Sequence, residues 1–344
     1  MSSCLTKLPA FSGLFPPQIT YKRLSGSELE ILSDLIEFDG EIEKLVSQLK
    51  LPLGFFRIKS VSDSVFYFIK VLPKQSVDHL IFSNELAHYL YAKGLECNLM
   101  CSGYPVIKNQ YCISKYPFLN GRYNNGTPED ANSLGLSIGH MHLALSEYPN
   151  HKEIKRNKDK RFNCFRKLLN AVLSHRKVIP WLSNDQLELL SKYIGLLDKL
   201  EDNCQVIHGD LNFGNIIYVD NRQNPLILDY ENTYYSYLPP LFDLAMLTER
   251  FFVVSKDDEI SYNLASEFFK SYWSICKKKL PVHKDLSLKE AMQASSIRSL
   301  LVLIEKENSG NYVPISEVKK FFLLLKQAEE RSNLLTELDL LYRK

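Results

Sequence analysis

Two stretches decide the fold of this chain: Val206-Ile-His-Gly-Asp-Leu-Asn-Phe-Gly-Asn215 and, shortly after it, Leu226-Ile-Leu-Asp-Tyr-Glu231. In each, a short apolar run ends abruptly in polar residues, which predicts a buried strand that delivers polar side chains to the edge of a cleft. Mg²⁺ is usually held by one or two protein oxygens together with phosphate oxygens and water. Asn215 and Asp229 offer two such oxygens, and Asp210 is then free to accept a proton from an attacking hydroxyl. Phosphoryl transfer requires these roles, although the same residues also fit a simple turn between two core strands.

Length and composition limit the class of protein. At 344 residues the chain exceeds the usual size of one hydrophobic core, so two lobes around one cleft are expected. The net charge of +2 argues against a nucleic-acid or membrane-surface partner. No apolar run approaches the roughly 18 residues of a membrane-spanning helix. The seven cysteines lack the spacing of a zinc site, and the N-terminus lacks a signal-peptide pattern, so a cytoplasmic protein with reduced thiols is expected.

The first third of the sequence predicts an antiparallel sheet with helices beside it. Residues 55–61 and 65–72 are aromatic and β-branched runs around a short polar turn, which predicts a hairpin. Lys70 lies in its second strand, either on a solvated face or as a phosphate-binding residue in a cleft. Further strands are predicted over residues 106–110 and 111–115, and helices over residues 27–36, 41–49 and 76–93.

The rest of the sequence reads mainly as helices. Thr127 is a good N-cap, since a proline and two acidic residues follow it. His140 and His142 stand two residues apart in the predicted helix and point to different sides, so they are interpreted as structural and not as metal ligands. The lysines and arginines of residues 151–167 are interpreted as a solvated helix face, not as a nucleic-acid patch.

The order His208-Gly-Asp-Leu-x₃-Asn215, then apolar-Asp229-Tyr-Glu231, resembles the aminoglycoside phosphotransferase and choline kinase superfamily of small-molecule kinases. The resemblance implies an α+β, protein-kinase-like fold with two lobes. Residues 1–115 form a small antiparallel-sheet N-lobe, and residues 116–344 form a larger helical C-lobe. It also implies ATP-dependent phosphorylation of a small-molecule hydroxyl, with Asp210 as the base and Mg²⁺ held by Asn215 and Asp229.

The resemblance also assigns residues to the nucleotide. Lys70 contacts its phosphates, Glu85 on the following helix pairs with Lys70, and Ser114 and Tyr116 lie at the segment that binds adenine. The phosphate-covering loop departs from the family pattern: residues 50–55 hold one glycine, Gly54, where relatives carry two or more small residues. The choice between ATP and GTP therefore stays open. Two further residues are assigned to structural support of the catalytic loop, His208 and Asp243, and Asp243 is alternatively a helix cap.

The Asp-Tyr-Glu sequence resembles the choline, ethanolamine and thiamine kinase-like enzymes more than the aminoglycoside or fructosamine branches, so a cationic acceptor is considered. Ring faces attract ammonium groups, so an acidic and aromatic cup is one hypothesis; the alternative is that the tyrosines simply pack. The members of this cup are Glu231, Tyr234, Tyr235 and Tyr237, with Glu249 and Trp273 farther along the chain.

The expected partners are a nucleotide and an alcohol acceptor. The acceptor is an amino alcohol, an aminoglycoside or a sugar. No nucleic acid or membrane partner is expected, and the oligomeric state is open.

Two other functions fit parts of the pattern. A protein kinase is disfavoured by glycine in His208-Gly-Asp210 and by the lack of an Ala-Pro-Glu segment before Asp243. A pseudokinase, which binds nucleotide without turnover, is favoured by the degenerate loop at Gly54. It is disfavoured by the retention of all five polar residues that the chemistry needs: Lys70, Glu85, Asp210, Asn215 and Asp229.

Overall fold

The computed structural model describes residues 20–36, 40–45, 51–61, 64–174, 178–220, 222–253, 255, 257–276 and 279–343. Lys50 of the predicted phosphate-covering loop and residues 62–63 of the hairpin turn lie outside these ranges. The described chain forms two compact units. We call residues 20–123 with 217–234 the sheet unit, and residues 124–216 with 235–343 the helical unit. Within the described ranges, no helix is both long and apolar enough to cross a membrane.

An antiparallel sheet of six strands forms the centre of the sheet unit, in the order β1-β2-β3-β4-β6-β5. Its strands are β1 (Tyr21–Arg23), β2 (Glu41–Leu45), β3 (Gly54–Lys59), β4 (Phe66–Pro73), β5 (Val106–Lys108) and β6 (Tyr111–Pro117), and its helices are α1 (Gly26–Ser33) and α2 (Val77–Ala92). A second, three-stranded sheet contains β7 (Gly121–Arg122), β9 (Ile216–Val219) and β10 (Leu226–Ile227). The predicted hairpin, the strand pair β5–β6 and helices α1 and α2 are confirmed.

Side-chain alternation gives the large sheet two different faces. Phe56, Ile69 and Val71 point to one face and are buried in a core with Leu32 of α1. Lys70 lies between Ile69 and Val71 on the strand and therefore points to the opposite face. Its neighbours in the ladder are Phe55 on β3 and Ser114 on β6. The alternation of side chains along β4 thus places Lys70 on the face of the sheet opposite to the apolar core.

The helix predicted over residues 41–49 is wrong where the structure describes it. Residues 41–45 form strand β2, which pairs with β3 and places Ile42 opposite Ile58 in the core. The nine residues of the predicted helix make only about two and a half turns, too few for their apolar spacing to be decisive, and pairing with an existing strand outweighs the local propensity. Residues 46–49 lie outside the described ranges.

The helical unit contains eight α-helices in its described residues. They are α3 (Pro128–Ser146), α4 (His151–Leu173), α5 (Asn184–Tyr193), α6 (Pro240–Leu247), α7 (Asp258–Cys276), α8 (Leu288–Asn308), α9 (Ile315–Glu330) and α10 (Ser332–Arg343). The predicted start of α3 is confirmed, because the Thr127 hydroxyl accepts the backbone N–H of Asp130 at 3.2 Å. An antiparallel sheet followed by a mostly helical region confirms the α+β class.

Glycines let α3 and α7 approach closely. A Cβ atom at Gly135 would lie 2.4 Å from the backbone oxygen of Phe268, and one at Gly139 would lie 2.9 Å from the Ile275 side chain. This packing holds α3 against α7. Elsewhere in the same unit, strands β8 (Gln205–Val206) and β11 (Tyr237–Leu238) pair antiparallel. Strand β8 ends two residues before His208-Gly-Asp210.

Candidate active site

In the sheet unit, Lys70 is held by two carboxylates. Its Nζ lies 2.7 Å from Oε1 of Glu231 and 3.1 Å from Oδ2 of Asp229. Burial favours a lower pKa for Lys70, but the charges of Asp229 and Glu231 outweigh it and raise that pKa. Burial raises the pKa of Glu231, the nearby ammonium of Lys70 opposes this rise, and Asp229 adds to it. Lys70 is therefore a permanently charged group fixed beside the proposed metal ligand.

The expected ion pair between Lys70 and Glu85 is not formed. Glu85 lies on an exposed position of α2, whereas Lys70 is buried and directed to Glu231 and Asp229. Glu231 is two residues after Asp229, so one short segment supplies both carboxylates that contact Lys70. The partner of Lys70 is therefore the glutamate of the Asp-Tyr-Glu sequence. The position of Glu85 on a predicted helix did not show whether Glu85 or Glu231 would contact the lysine.

Asp229 has an unusual backbone conformation. Its φ of 64° lies in the left-handed region, which costs free energy for a residue with a Cβ atom. Asp and Asn tolerate this region better than most residues because their short polar side chains bond locally. Such strain is often found where a side chain must be presented at one point. It gives Asp229 a conformation that the pattern "apolar-Asp-Tyr-Glu" does not reveal.

Three more residues predicted near the nucleotide lie on the same sheet. Ser114 is fully buried opposite Lys70, and Tyr116 follows two positions later on β6. Burial raises the pKa of the Tyr116 phenol, and the nearby Lys70 opposes this rise. Gly54 begins β3 with a φ of 153°, and a Cβ atom there would lie 2.9 Å from Cε of Lys44. The Lys44 side chain is flexible and could move away, so the positive φ is the feature that favours glycine at position 54.

In the helical unit, polar bonds within residues 208–215 shape the loop around Asp210. Asn212 donates to Oδ1 of Asp210 at 3.0 Å, and its own Oδ1 accepts the N–H of Gly214 at 2.8 Å. Asn215 donates through Nδ2 to the backbone carbonyl of Asp210 at 2.8 Å. The backbone N–H of Asp210 donates to Nδ1 of His208 at 3.2 Å. The carboxylate of Asp210 is half-buried, while its backbone is held on both sides.

Asp243 holds the start of this loop through hydrogen bonds to its backbone. It is fully buried, and its two oxygens accept the N–H groups of His208 and Gly209, each at 2.8 Å. His142 Nε2 donates to the same carboxylate at 3.1 Å, and the Tyr272 hydroxyl lies 3.0 Å from His142 Nδ1. The N-cap of α6 is Pro239, so Asp243 does not cap that helix. His142 is thus part of a buried network, while His140 is exposed.

Arg298 on α8 is a residue of this site that the sequence interpretation missed. Its Nη1 lies 3.3 Å from the carbonyl oxygen of Gly209, and its Nη2 lies 3.4 Å from the Ser236 hydroxyl. A signal existed in the sequence, because Arg298 is the single charged residue between Glu290 and Glu305. A lone charge in a long apolar helix needs a buried partner.

The tyrosines of the proposed cup have separate environments. In the sheet unit, the ring of Tyr234 packs against α2, with centroids 4.8 Å from His79 and 5.3 Å from Phe82. In the helical unit, the guanidinium of Arg161 lies 4.5 Å from the ring of Tyr235. Tyr237 stacks on His151 at 6.4 Å. A protein cation already lies at the face of Tyr235, which favours the interpretation that these rings pack.

The two more distant members of that cup are buried. Glu249 is 1% exposed, and burial raises its pKa. Trp273 packs between Tyr272 and Tyr342 in the core of the helical unit. Most basic residues of α4 are exposed, as expected of a solvated helix face, but Lys158 is buried and pairs with Glu201 and Asp159. These contacts favour a structural role for each of them.

The donor atoms available for a metal ion are oxygens. Asn215 uses Nδ2 for the carbonyl of Asp210, which leaves Oδ1 as its ligand atom, and Asp229 is a carboxylate. Among the described residues there is no group of three or more His, Cys, Asp or Glu arranged to hold a metal. Taken separately, each of these two oxygen donors is of the type that Mg²⁺ prefers.

The comparisons with known proteins agree with these features. A family model described as "Phosphotransferase enzyme family" matches residues 56–273. The fold is similar to a spectinomycin phosphotransferase solved with ADP and spectinomycin, at 15% identity and a TM-score of 0.52, over 92% of this chain and 98% of that one. It is also similar to an ethanolamine kinase from Plasmodium vivax, at 13% identity and a TM-score of 0.53, over 91% of this chain and 82% of that one. A search of curated proteins finds no match.

The family match spans well over half of the chain and includes β4 with Lys70 and residues 208–243, which carry the proposed chemistry. The structural likenesses show the protein-kinase-like fold of small-molecule kinases. The resemblance to the aminoglycoside phosphotransferase and choline kinase superfamily is confirmed. This chain belongs to the phosphotransferase enzyme family.

Proposed function

We propose that this protein transfers the terminal phosphoryl group of ATP to a hydroxyl group of a small molecule. Asp210 accepts the proton of that hydroxyl, and Lys70 contacts the phosphates of the nucleotide. The observation that carries the proposal is the bracing of the Asp210 loop by Asp243, which accepts two successive backbone N–H groups. A turn that only joined two strands would not need a fully buried carboxylate to hold it.

Asn215 and Asp229 are the residues proposed to hold Mg²⁺. When bound, Mg²⁺ neutralises charge on the phosphates. The free amide oxygen of Asn215 and the carboxylate of Asp229 supply the donors, and the strained φ of Asp229 fixes the direction in which its carboxylate leaves the backbone. Lys70 shields the negative charge of Asp229 and Glu231 in the protein without nucleotide.

ATP is the proposed donor, with GTP as the alternative. The spectinomycin phosphotransferase with a similar fold was solved with ADP, which supports an adenine nucleotide for this chain. Gly54 is the single glycine of the phosphate-covering loop, and its φ of 153° gives it a conformational reason to be present. Nucleotide affinity in this protein then rests chiefly on Lys70 and the metal ligands.

The acceptor is proposed to be a small alcohol. The spectinomycin phosphotransferase and the ethanolamine kinase mark the range, from an aminoglycoside to an amino alcohol. The packing of Tyr234, Tyr235 and Tyr237 against His79, Arg161 and His151 reduces the support for a tyrosine cup around a cation. A neutral or polyhydroxylated acceptor is therefore to be tested on equal terms with choline and ethanolamine.

The test is a screen for acceptor-dependent ADP formation with ATP or GTP and Mg²⁺, over aminoglycosides, choline, ethanolamine, thiamine and amino sugars. Nucleotide binding is measured separately by thermal shift. Asp229→Ala should abolish the Mg²⁺-dependent part of the ATP shift, and Asn215→Ala should reduce it. If the wild-type protein shows neither a shift nor turnover with any purine nucleotide, the proposal is wrong. A shift without turnover would support the pseudokinase alternative.

A further inference from the structure

Arg298 lies at the centre of the helical unit without a carboxylate partner. It is 6% exposed, and in the described part of the chain it forms no ion pair. Its Nε has no hydrogen-bond partner. The guanidinium also lies over the ring of Phe242, 5.5 Å from its centroid. Burial of an unpaired cation costs free energy, and an apolar residue of similar size is often at least as stable in such a position.

The charge of Arg298 is maintained in this environment. Burial lowers its pKa, the nearby Arg161 lowers it further, and the charges of Asp210 and Asp243 oppose both, so that the pKa falls to about 10. The side chain is therefore a cation at neutral pH. The carboxylates that stabilise it are those of the proposed base and of the residue that braces the loop.

The two acceptors of Arg298 lie on the two segments that carry the β8–β11 pair. The Gly209 carbonyl belongs to the peptide group that leads into Asp210. Ser236, whose hydroxyl faces Nη2, also accepts the N–H of Ile207 through its backbone oxygen at 3.0 Å. One guanidinium thus contacts the catalytic loop just after β8 and the opposing segment just before β11.

Gly209 needs such a restraint. Its φ of 78° lies in the left-handed region, where glycine rotates with little resistance because it has no Cβ atom. Asp243 holds the N–H of Gly209 and Arg298 contacts its carbonyl, so the residue is fixed at both of its peptide groups. Without the second contact, the peptide between Gly209 and Asp210 keeps only the 3.2 Å bond from its N–H to Nδ1 of His208, so its carbonyl loses its restraint and the Asp210 carboxylate is held less firmly.

We propose that Arg298 is a positioning residue, which clamps the Gly209–Asp210 peptide to Ser236 and so fixes the Asp210 carboxylate for proton transfer. This role rests on the proposed function of Asp210. The planar fork of arginine reaches two acceptors on different segments, whereas the single ammonium of lysine does not hold both in the same geometry. The full effect therefore requires arginine, and a positive charge alone supplies only part of it.

Three variants test the clamp: Arg298→Met, Arg298→Lys and Ser236→Ala. The matched control is Arg331→Met, which removes another arginine of the helical unit whose Nε lacks a partner and which is paired with Asp258 at 2.7 Å. The first measurement is hydrogen exchange of peptides that cover residues 205–211 and 235–238, which needs no acceptor. The second is kcat and KM for ADP formation with the best acceptor of the screen.

Arg298→Met should raise exchange in these two segments alone and lower kcat by about 10- to 100-fold, with the KM for ATP unchanged, because a small displacement of a catalytic group has effects of this size. Arg298→Lys should recover part of kcat, Ser236→Ala should loosen residues 235–238, and Arg331→Met should change neither segment. Unchanged exchange, exchange raised evenly over the unit, or an unchanged kcat overturns the proposal. If Arg298→Met does not fold, the other two variants decide.

If the wild-type protein has no turnover, the proposed function fails, while exchange still shows whether Arg298 holds the loop. If exchange in Arg298→Met then rises only in these two segments, Arg298 holds the loop, but the loop has no catalytic function. That result overturns the positioning role. The two failures are therefore distinguishable.

Discussion

Replacement of Asp243 by Asn tests how strongly the loop of residues 208–215 depends on one buried carboxylate. Asp243 accepts the N–H groups of His208 and Gly209 at 2.8 Å and that of His142 Nε2 at 3.1 Å, and it is fully buried. An Asn side chain keeps one oxygen, so its NH₂ group must face one of these donors. The change is isosteric and creates no cavity.

The magnitude follows from these contacts. A hydrogen bond to a charged group contributes about 1.5–3 kcal/mol, and a buried donor left without a partner costs about 1–3 kcal/mol. Since Asn retains part of the network, we expect Asp243→Asn to lower the free energy of unfolding by about 2–4 kcal/mol. We also expect kcat to fall, because the backbone that carries Asp210 loses one of its restraints.

The assay is urea unfolding monitored by tryptophan fluorescence. The chain has two tryptophans, Trp181 and Trp273, and both lie in the helical unit, so the signal reports on the unit that contains Asp243. The control is Asp198→Asn, which removes an exposed ion pair with Arg166 and should cost less than about 1 kcal/mol. If Asp243→Asn unfolds at the same urea concentration as the wild-type protein and the control, the bracing role is wrong.

Three further predictions concern other parts of the molecule. Glu231→Gln should weaken ATP binding in a thermal-shift titration more than Glu85→Gln does, because Glu231 contacts Lys70 and Glu85 is exposed; a larger effect of Glu85→Gln would contradict the contacts seen here. Hydrogen bonds from Lys289 and Tyr193 lower the pKa of Glu329 to about 2, so its stabilisation is present above the unfolded pKa and is lost as the pH falls toward 2. Glu329→Gln should therefore be less stable than the wild-type protein at pH 7, by less than about 1 kcal/mol because the side chain is partly exposed, and this difference should shrink in urea titrations at pH 3. Gly135→Ala should lower the free energy of unfolding by about 1–3 kcal/mol or more, since the new Cβ atom meets the backbone of Phe268, and an unchanged urea midpoint would show that α3 and α7 are less tightly packed.

Periodic segments of the sequence predicted the fold well. The hairpin β3–β4, the strand pair β5–β6 and the capped helix α3 were all predicted from apolar alternation and cap residues, because these signals are local. Strand β2 was missed, because pairing with β3 outweighs the helix-like spacing predicted over residues 41–49. The position of β2 in the sheet depends on pairing with residues distant in the sequence, which a local pattern does not show.

The candidate site shows the same division. Asp210, Asn215 and Asp229 were predicted as site residues from their motif, which fixes the order of polar residues after two strands, and their roles stay predictions. The partner of Lys70 could not, because Glu231 and Glu85 compete for it and only the folded chain decides between them. Arg298 contacts Gly209 from 89 residues away, and no motif links them.

The central claim is that Asp210 is the base of a phosphotransferase. It is tested most directly by acceptor-dependent ADP formation in the wild-type protein, in Asp210→Asn and in the control Asp220→Asn, which changes an exposed aspartate on a neighbouring segment. Asp210→Asn should retain the ATP thermal shift and lose about 10²–10⁴-fold in kcat, the usual contribution of a general base, while the control keeps its activity. A turnover of Asp210→Asn close to that of the wild-type protein on the same acceptor would contradict the account.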